Sequence, residues 1–171
     1  MAWPPRPLPV PPADLHEAFV LRPPQPSDAA AFAAAWGDAA IVRWLEPPEA
    51  SEASAEHWIA GERGRRDAAV ALDLVIDVDG AVAGEVGFSS FDEQRRACLV
   101  GYWLTASTRG RGLAAEAVRA AIDWMRSELG AVVVLAECDP DNTASHRVAE
   151  RAGFDLLAAD HGGTRVYVCR P

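Results

Sequence analysis

Residues 100–137 read VGYWLTASTRGRGLAAEAVRAAIDWMRSELGAVVVLAE, and the division of this stretch into elements decides the fold. With Leu99, the apolar run through Val100, Tyr102, Trp103 and Leu104 has the character of a strand. A short polar loop leads into Arg109-Gly110-Arg111-Gly112-Leu113-Ala114. A helical pattern follows and stops at Gly130, with Leu113, Ala117, Ala121, Met125 and Leu129 at i, i+4 spacing and Val118 and Ile122 widening the stripe. Glu116, Arg119, Asp123, Arg126 and Glu128 lie mainly off it. Val132 to Ala136 is β-branched and continuous, as expected of a buried strand with a parallel neighbour. The stretch is therefore a strand, a glycine-rich turn, a helix and a strand: one βαβ unit.

The turn has the chemistry of an anion site. Gly110 and Gly112 permit positive φ and clear side chains from the backbone. Successive N–H groups in such a turn form an anion-binding nest, and the helix that follows opens on unpaired N–H groups and a partial positive charge. Arg109 and Arg111 add two full charges. A loop that merely starts a helix is the plain alternative. The P-loop pattern is excluded, because no Gly-Lys-Ser/Thr follows. A dinucleotide fingerprint is a closer rival: Gly110-Arg111-Gly112-Leu113-Ala114-Ala115 satisfies G-x-G-x-x-A, and Glu137 stands near the next strand's end. Against it, Thr105 to Arg109 separate the strand from the first glycine, and no second βαβ half follows.

Working outward, Cys98 to Leu104 is the third strand of an antiparallel meander. Ala69 to Asp77 and Val82 to Ser89 precede it, joined by an Asp79-Gly80 hairpin turn, with Phe91 to Arg96 as the second connection. Further upstream, Phe19 to Arg22 reads as a strand. A helix over 29–36 is capped by Ser27 or Asp28 and ended by Gly37. Ile41 to Leu45 is a short apolar patch, and Ser51 to Arg66 reads as one helix. Met1 to Pro12 is proline-rich and reads as an extended or disordered arm, open to a polyproline II contact. Downstream, Asp139-Pro140-Asp141-Asn142 turns into a short helix ended by Gly153. Phe154 to Ala158 and Arg165 to Cys169 are expected as a last strand pair, with Asp160 to Thr164 as their turn. The expected organisation is an arm over residues 1–18 and a single domain over 19–171.

Composition narrows the function classes. Half of the 171 residues are hydrophobic and 24% are charged, as in soluble globular chains. No apolar run is long enough to span a bilayer, and the proline-rich start has no signal-peptide core. Cys98, Cys138 and Cys169 form no CxxC pair, and an odd count without a leader suits reduced thiols in a cytoplasm. The net charge of −9 argues against a nucleic-acid partner and suits a cationic one. All sixteen basic residues are arginine, so the chain carries no lysine of its own to acylate. His16, His57, His146 and His161 have no metal-ligand spacing, and no metal site is expected.

Arg109-x-x-Gly112-x-Ala114 resembles the Q/R-x-x-G-x-G/A signature of the GNAT superfamily of acyl-CoA N-acyltransferases. Asn142-Thr143-Ala144-Ser145, with Val148, Glu150 and Arg151-Ala152-Gly153-Phe154, resembles the N-x-x-S…GF block of its Rim-type branch. Val100 to Leu104 looks like the strand before the signature, and Leu21-Arg22, Asp28 and Trp44-Leu45 are also similar. The resemblance covers residues 19 to 170. It implies a mixed α+β fold: a mostly antiparallel central sheet with one splayed parallel strand pair, flanked by helices. It further implies acetyl-CoA between those strands. The backbone of Trp103, Leu104 and Thr105 is to pair with the pantetheine arm, as an added strand does. The N–H groups from Arg109 through Gly110, Arg111, Gly112 and Leu113 to Ala114 are to bind the pyrophosphate, and Asn142 and Ser145 are to meet the pantetheine end. The N-terminal helices are expected over the acceptor, with Trp36, Trp44 and Trp58 as pocket walls or core residues.

Amine acylation needs a neutral nitrogen and a proton for the leaving thiolate. Glu137 stands where some Rim-type enzymes carry their base, with Glu85 on another strand as the second candidate. Many relatives protonate the thiolate with a tyrosine where this chain has Ala149; Ser145 matches a branch that uses serine. Cys138 has no partnered base in the sequence and is a poor nucleophile. The expected activity is N-acetylation of a protein or peptide N-terminal α-amine. A small-molecule amine such as an amino sugar or antibiotic, and a non-catalytic acyl-CoA-binding module, are the alternatives. A homodimer is left open.

Overall fold

The structure is a computed structural model that describes residues 3–130, 132–159 and 163–171. One seven-stranded sheet runs through it. Its strands are β1 (Val20–Arg22), β2 (Ala71–Val78), β3 (Ala81–Asp92), β4 (Ala97–Leu104), β5 (Val133–Cys138), β6 (Asp155–Ala159) and β7 (Arg165–Cys169), in the spatial order β1-β2-β3-β4-β5-β7-β6. All neighbours are antiparallel except β4 and β5, which are parallel, as the βαβ reading requires. That pair is matched only over Ala97↔Val133, Cys98↔Val134 and Leu99↔Leu135. Beyond it each strand follows its antiparallel partner: β4 stays on β3 as far as Gly84↔Leu104, and β5 stays on β7 as far as Cys138↔Arg165. The two half-sheets therefore part, and the facing strand edges have no ladder between them.

Alternation assigns the two faces. Cys98, Val100, Val134, Ala136 and Cys138 face the main core, under α5 (Leu113–Leu129) and α6 (Thr143–Arg151). The buried side of α5 carries Ala117, Val118, Ala121, Ile122 and Met125, the stripe expected from spacing. The opposite face is covered over β2–β4 by α1 (Ala29–Trp36), α2 (Ala39–Val42), α3 (Glu52–Ala60) and α4 (Glu62–Asp67). There Phe32, Trp36, Ile59, Val75 and Trp103 make a second cluster with Trp58 at its edge. Arg22 ties β1 to this layer, binding Asp28 and Asp77 at 2.7 Å each. Burial pulls the Asp28 carboxyl upward, but Arg22 and the Gln25 N–H outweigh it and hold it below its ordinary value.

The proline-rich arm is not free. Trp3 and Leu8 are buried in the main core, Trp3 packs edge-on to Phe91, and the Leu8 N–H donates to the Arg66 carbonyl at 3.0 Å. Proline denies the arm a ladder, as expected, but two apolar side chains between the prolines suffice to anchor it. The helix expected over Ser51–Arg66 is split at Gly61 into α3 and α4. β3 extends past Ser89 to Asp92 through an irregularity in its pairing with β4. Asp79 and Gly80 both take positive φ, the hairpin turn expected there. Of the turn expected over Asp160–Thr164, residues 160–162 lie outside the described residues. Among those described, no helix is long and apolar enough to cross a membrane.

Candidate active site

The parting of β4 and β5 opens a cavity of about 470 Å³. Its floor is Val100 to Leu104 on one side and Ala136 to Cys138 on the other; the start of α5, the start of α6 and the α2 segment complete it.

At one end lies the glycine turn. Gly110 and Gly112 adopt φ of 80° and 86°, and Gly112 precedes the first residue of α5. Among the described residues, the N–H groups of Gly110, Arg111, Gly112, Leu113 and Ala114 donate to no protein acceptor. A Cβ on Gly110 meets nothing within 4 Å, so the approach to this row is open. These groups fit a diphosphate. The Arg109 guanidinium is used differently: Nε donates to the Leu104 carbonyl at 3.0 Å and an Nη to Asp38 at 2.6 Å. It straps the turn to α2. The Ala40 N–H and then Arg109 hold the Asp38 carboxyl below the usual carboxylate range. Exposed cations at the cavity come instead from Arg147 and Arg151, one turn apart on α6.

At the middle, hydroxyls and a thiol meet. The Asn142 side chain caps α6 by accepting from the Ser145 N–H at 3.0 Å. Ser145 Oγ lies 2.9 Å from the Tyr102 hydroxyl and 3.2 Å from Cys138 Sγ. The Tyr102 hydroxyl is also 3.0 Å from the Ser145 carbonyl. Burial raises both the Tyr102 phenol and the Cys138 thiol above their ordinary values. Behind them, buried His146 links the Pro140 carbonyl to the Tyr167 hydroxyl, fixing the turn that carries α6.

On the opposite face, Glu137 is exposed and lines the cavity. Glu85 is the cross-strand partner of Trp103, whose indole N–H donates to its carboxylate at 2.5 Å. Burial, and then the charge of Asp73, push Glu85 up to about 8, against the pull of the Trp103 N–H and Arg65. Arg65 binds Asp73 at 2.9 Å and lies over the Trp58 ring. Trp36 and Trp58 belong to the helix packing on this face, whereas Trp44 lines the cavity.

The structure thus gathers Trp103, Leu104, Arg109, Gly110, Gly112, Ala114, Glu137, Asn142 and Ser145 around one space. It does not bring Thr105, Arg111 or Leu113 to the cavity wall. Thr105 turns to β3, where its N–H and hydroxyl both reach the Ala83 carbonyl; Leu113 packs on the core; Arg111 is exposed beyond the rim. The Leu104 carbonyl accepts one hydrogen bond from Arg109 and keeps a second lone pair. Sequence reasoning missed Tyr102, Arg147 and Arg151. Arg147 and Arg151 were detectable by their i, i+4 spacing. Tyr102 was hidden because its partner is 43 residues away.

A parallel strand pair thus parts beside a glycine-rich helix start, and unpartnered N–H groups belong to Gly110, Gly112 and Ala114 of the cavity lining, an arrangement that suits an acyl-CoA-type cosubstrate. The Acetyltransferase (GNAT) domain family matches residues 18–155, and the chain belongs to that family and is an N-acetyltransferase of its type. It is 23% identical over 141 residues to the N-acetyltransferase p20 of Bacillus licheniformis, covering 81% of this chain and 79% of that one. The ribosomal L7/L12 α-N-protein acetyltransferase RimL has the same fold at a TM-score of 0.83, with 20% identity and full coverage of both chains. The microcin C7 self-immunity acetyltransferase MccE, solved with acetyl-CoA and AMP, superposes at 0.82, with 20% identity over 95% of this chain and 98% of that one.

Proposed function

We propose that this enzyme transfers an acetyl group from acetyl-CoA to the α-amine of a protein or peptide N-terminus. The observation that carries the reading is the row of unpartnered N–H groups from Gly110 to Ala114, of which Gly110, Gly112 and Ala114 line the cleft where β4 and β5 part. Acetyl-CoA is the cosubstrate: it supplies an acetyl group on a thioester whose sulfur departs with the bonding electron pair and takes up a proton. The N–H row and the first turn of α5 hold the diphosphate, and Arg147 and Arg151 meet its remaining phosphate charge. Tyr102 and Leu104 present backbone from the free edge of β4 to the amide-bearing arm, since alternation ties the backbone of Trp103 and Thr105 to β3. Glu137 accepts a proton from the incoming ammonium, directly or through one water, and Ser145 supplies the proton to sulfur.

The likeness to RimL supports the protein α-amine as acceptor, and a net charge of −9 favours a cationic peptide. A small-molecule amine is the second reading, favoured by the likeness to MccE. One screen separates them: thiol release from acetyl-CoA with peptides of free and blocked N-termini and with amino sugars, the products read by mass spectrometry. Acetylation confined to free peptide N-termini is expected. Thiol release only with small amines overturns the acceptor assignment, and none with any amine leaves a binding module.

A further inference from the structure

Tyr102, Ser145 and Cys138 form a chain of side chains whose hydrogens can be counted. Tyr102 and Ser145 carry one hydroxyl hydrogen each. Cys138 carries one thiol hydrogen, which can be given to Ser145 Oγ or turned away, and the Ser145 hydrogen then has two arrangements. In the first, Tyr102 donates to the Ser145 carbonyl and Ser145 donates back to Tyr102, so no hydrogen points into the cavity. In the second, Tyr102 donates to Ser145 Oγ, and the Ser145 hydrogen is released towards the sulfur 3.2 Å away. The carbonyl loses little by the change, since it also accepts the helical bond from Ala149. Both arrangements use the same heavy-atom positions, so a rotation of two O–H bonds interconverts them.

We propose that Tyr102 is a positioning residue for the proton donor: its hydroxyl, given to Ser145 Oγ, turns the Ser145 hydrogen into the cavity and onto the departing sulfur. This rests on the acetyl-CoA reading above. Cys138 Sγ is a weak acceptor, and a thiolate placed beside it is a far stronger one. A negative sulfur in the cavity therefore selects the second arrangement. As Ser145 gives its proton to sulfur, the Tyr102 donor stabilises the charge left on Oγ, and solvent restores that proton. Of the two protons an ammonium loses in acetylation, one is matched on the thiol and one enters solvent. Burial keeps the phenol neutral, which suits a fixed donor rather than a group that itself ionises. The role that Ala149 cannot take thus falls to Ser145, one turn earlier on α6, with its supporting donor supplied from β4. Ala149 is buried against the core, where a tyrosine has no room without repacking.

The titratable groups around Tyr102 are Cys138 on β5, Tyr167 on β7 and His146, which binds Tyr167. The test therefore compares two ligands that differ only in the thiol. CoA and desulfo-CoA are bound by calorimetry from pH 7 to 10, a range that brackets an ordinary thiol pKa of about 8.5, with reductant present. A donor aimed at sulfur favours the thiolate, so CoA should gain roughly tenfold or more over desulfo-CoA as pH rises, one pKa unit of differential interaction. Tyr102→Phe keeps the ring and should remove most of that gain without changing desulfo-CoA affinity. Ser145→Ala should remove the same gain, read as the ratio of CoA to desulfo-CoA affinity so that any common change cancels, and the double variant should lose no more of it than either single one. A full gain in Tyr102→Phe, additive losses in the double variant, or no gain in the unmodified enzyme overturns the inference. Failure of both ligands to bind is a different result: it overturns the acetyl-CoA reading and the inference with it.

Discussion

Glu137 and Glu85 stand on the same face of the sheet in contrasting settings. Glu137 is exposed at the cavity with room for an ammonium or a bridging water; Glu85 is held by Trp103 among Asp73 and Arg65. Glu137→Gln keeps the shape and removes the basicity. It should leave CoA affinity unchanged and lower kcat by about 10²–10⁴-fold, the usual size of general-base catalysis, with partial recovery at high pH, where more amine is already neutral. Wild-type turnover in that variant from about pH 6 to 9, a range over which an α-amine deprotonates, moves the assignment to Glu85 or to water alone. Glu85 makes a stability prediction of definite sign. Its folded value of about 8 lies above the ordinary 4.5, so between these the native state keeps a proton that the unfolded chain has released. Stability from this group is full at low pH and is lost as pH rises through that window. Asp73, also raised by burial, acts with the same sign. The melting temperature should therefore fall from pH 5 to 8, and Glu85→Gln, which still accepts from Trp103, should flatten the slope. Equal slopes in both proteins contradict the assigned environment. At Gly112, φ is 86°, where a β-branched residue is strained and its side chain obstructs the N–H row. Gly112→Val should abolish stabilisation by CoA while circular dichroism keeps the native spectrum.

At the scale of elements, the N-terminal arm carries the clearest consequence. Leu8 is fully buried and its N–H is bonded to α4. Leu8→Ala should cost about 2–5 kcal/mol, as large-to-small core changes do. The arm lies along the outer side of α5 and away from the cavity, so CoA affinity below the melting transition should be unchanged. Thermal melts and calorimetry on the same variant check both halves. The arm also marks where local sequence ran out. The α5 stripe, the Asp79-Gly80 turn and the βαβ unit were legible because each is written in periodicity or turn chemistry within a few residues. The anchoring of Trp3 and Leu8 depends on a surface assembled from distant strands, and no local pattern encodes it. The same holds at the site. Gly110, Gly112 and Asn142 were readable because their roles are local to a turn or a cap. Arg109 reads from sequence as a charge for the phosphates because its partner Asp38 is 71 residues away, and the Thr105 N–H reads as available to the pantetheine arm because nothing local shows that the Ala83 carbonyl takes it.

For the whole molecule, the sheet is two antiparallel blocks, β1–β4 and β5–β7–β6, joined by three matched residue pairs and by α5. Both blocks and both helix starts contribute to the cavity wall. A ligand seated there contacts each block, and it does so only when they hold their native relation, so it binds the folded state alone. Mass action then sets the stabilisation: at a hundred times Kd it is about 2.7 kcal/mol. In a domain of this size each kcal/mol moves the melting temperature by about 2–4 °C. Acetyl-CoA at that excess should therefore raise it by roughly 5–10 °C. ATP and NADH at the same concentration offer phosphates to the glycine turn but no amide-bearing arm for the free edge of β4, and should raise it much less. This comparison separates the anion turn from the cleft as sources of affinity. An equal shift with NADH returns the turn to the dinucleotide reading that its G-x-G-x-x-A spacing allows, and an equal shift with ATP reduces the site to a phosphate nest. A shift confined to CoA and its thioesters requires both features at once, which only the parting of β4 and β5 provides.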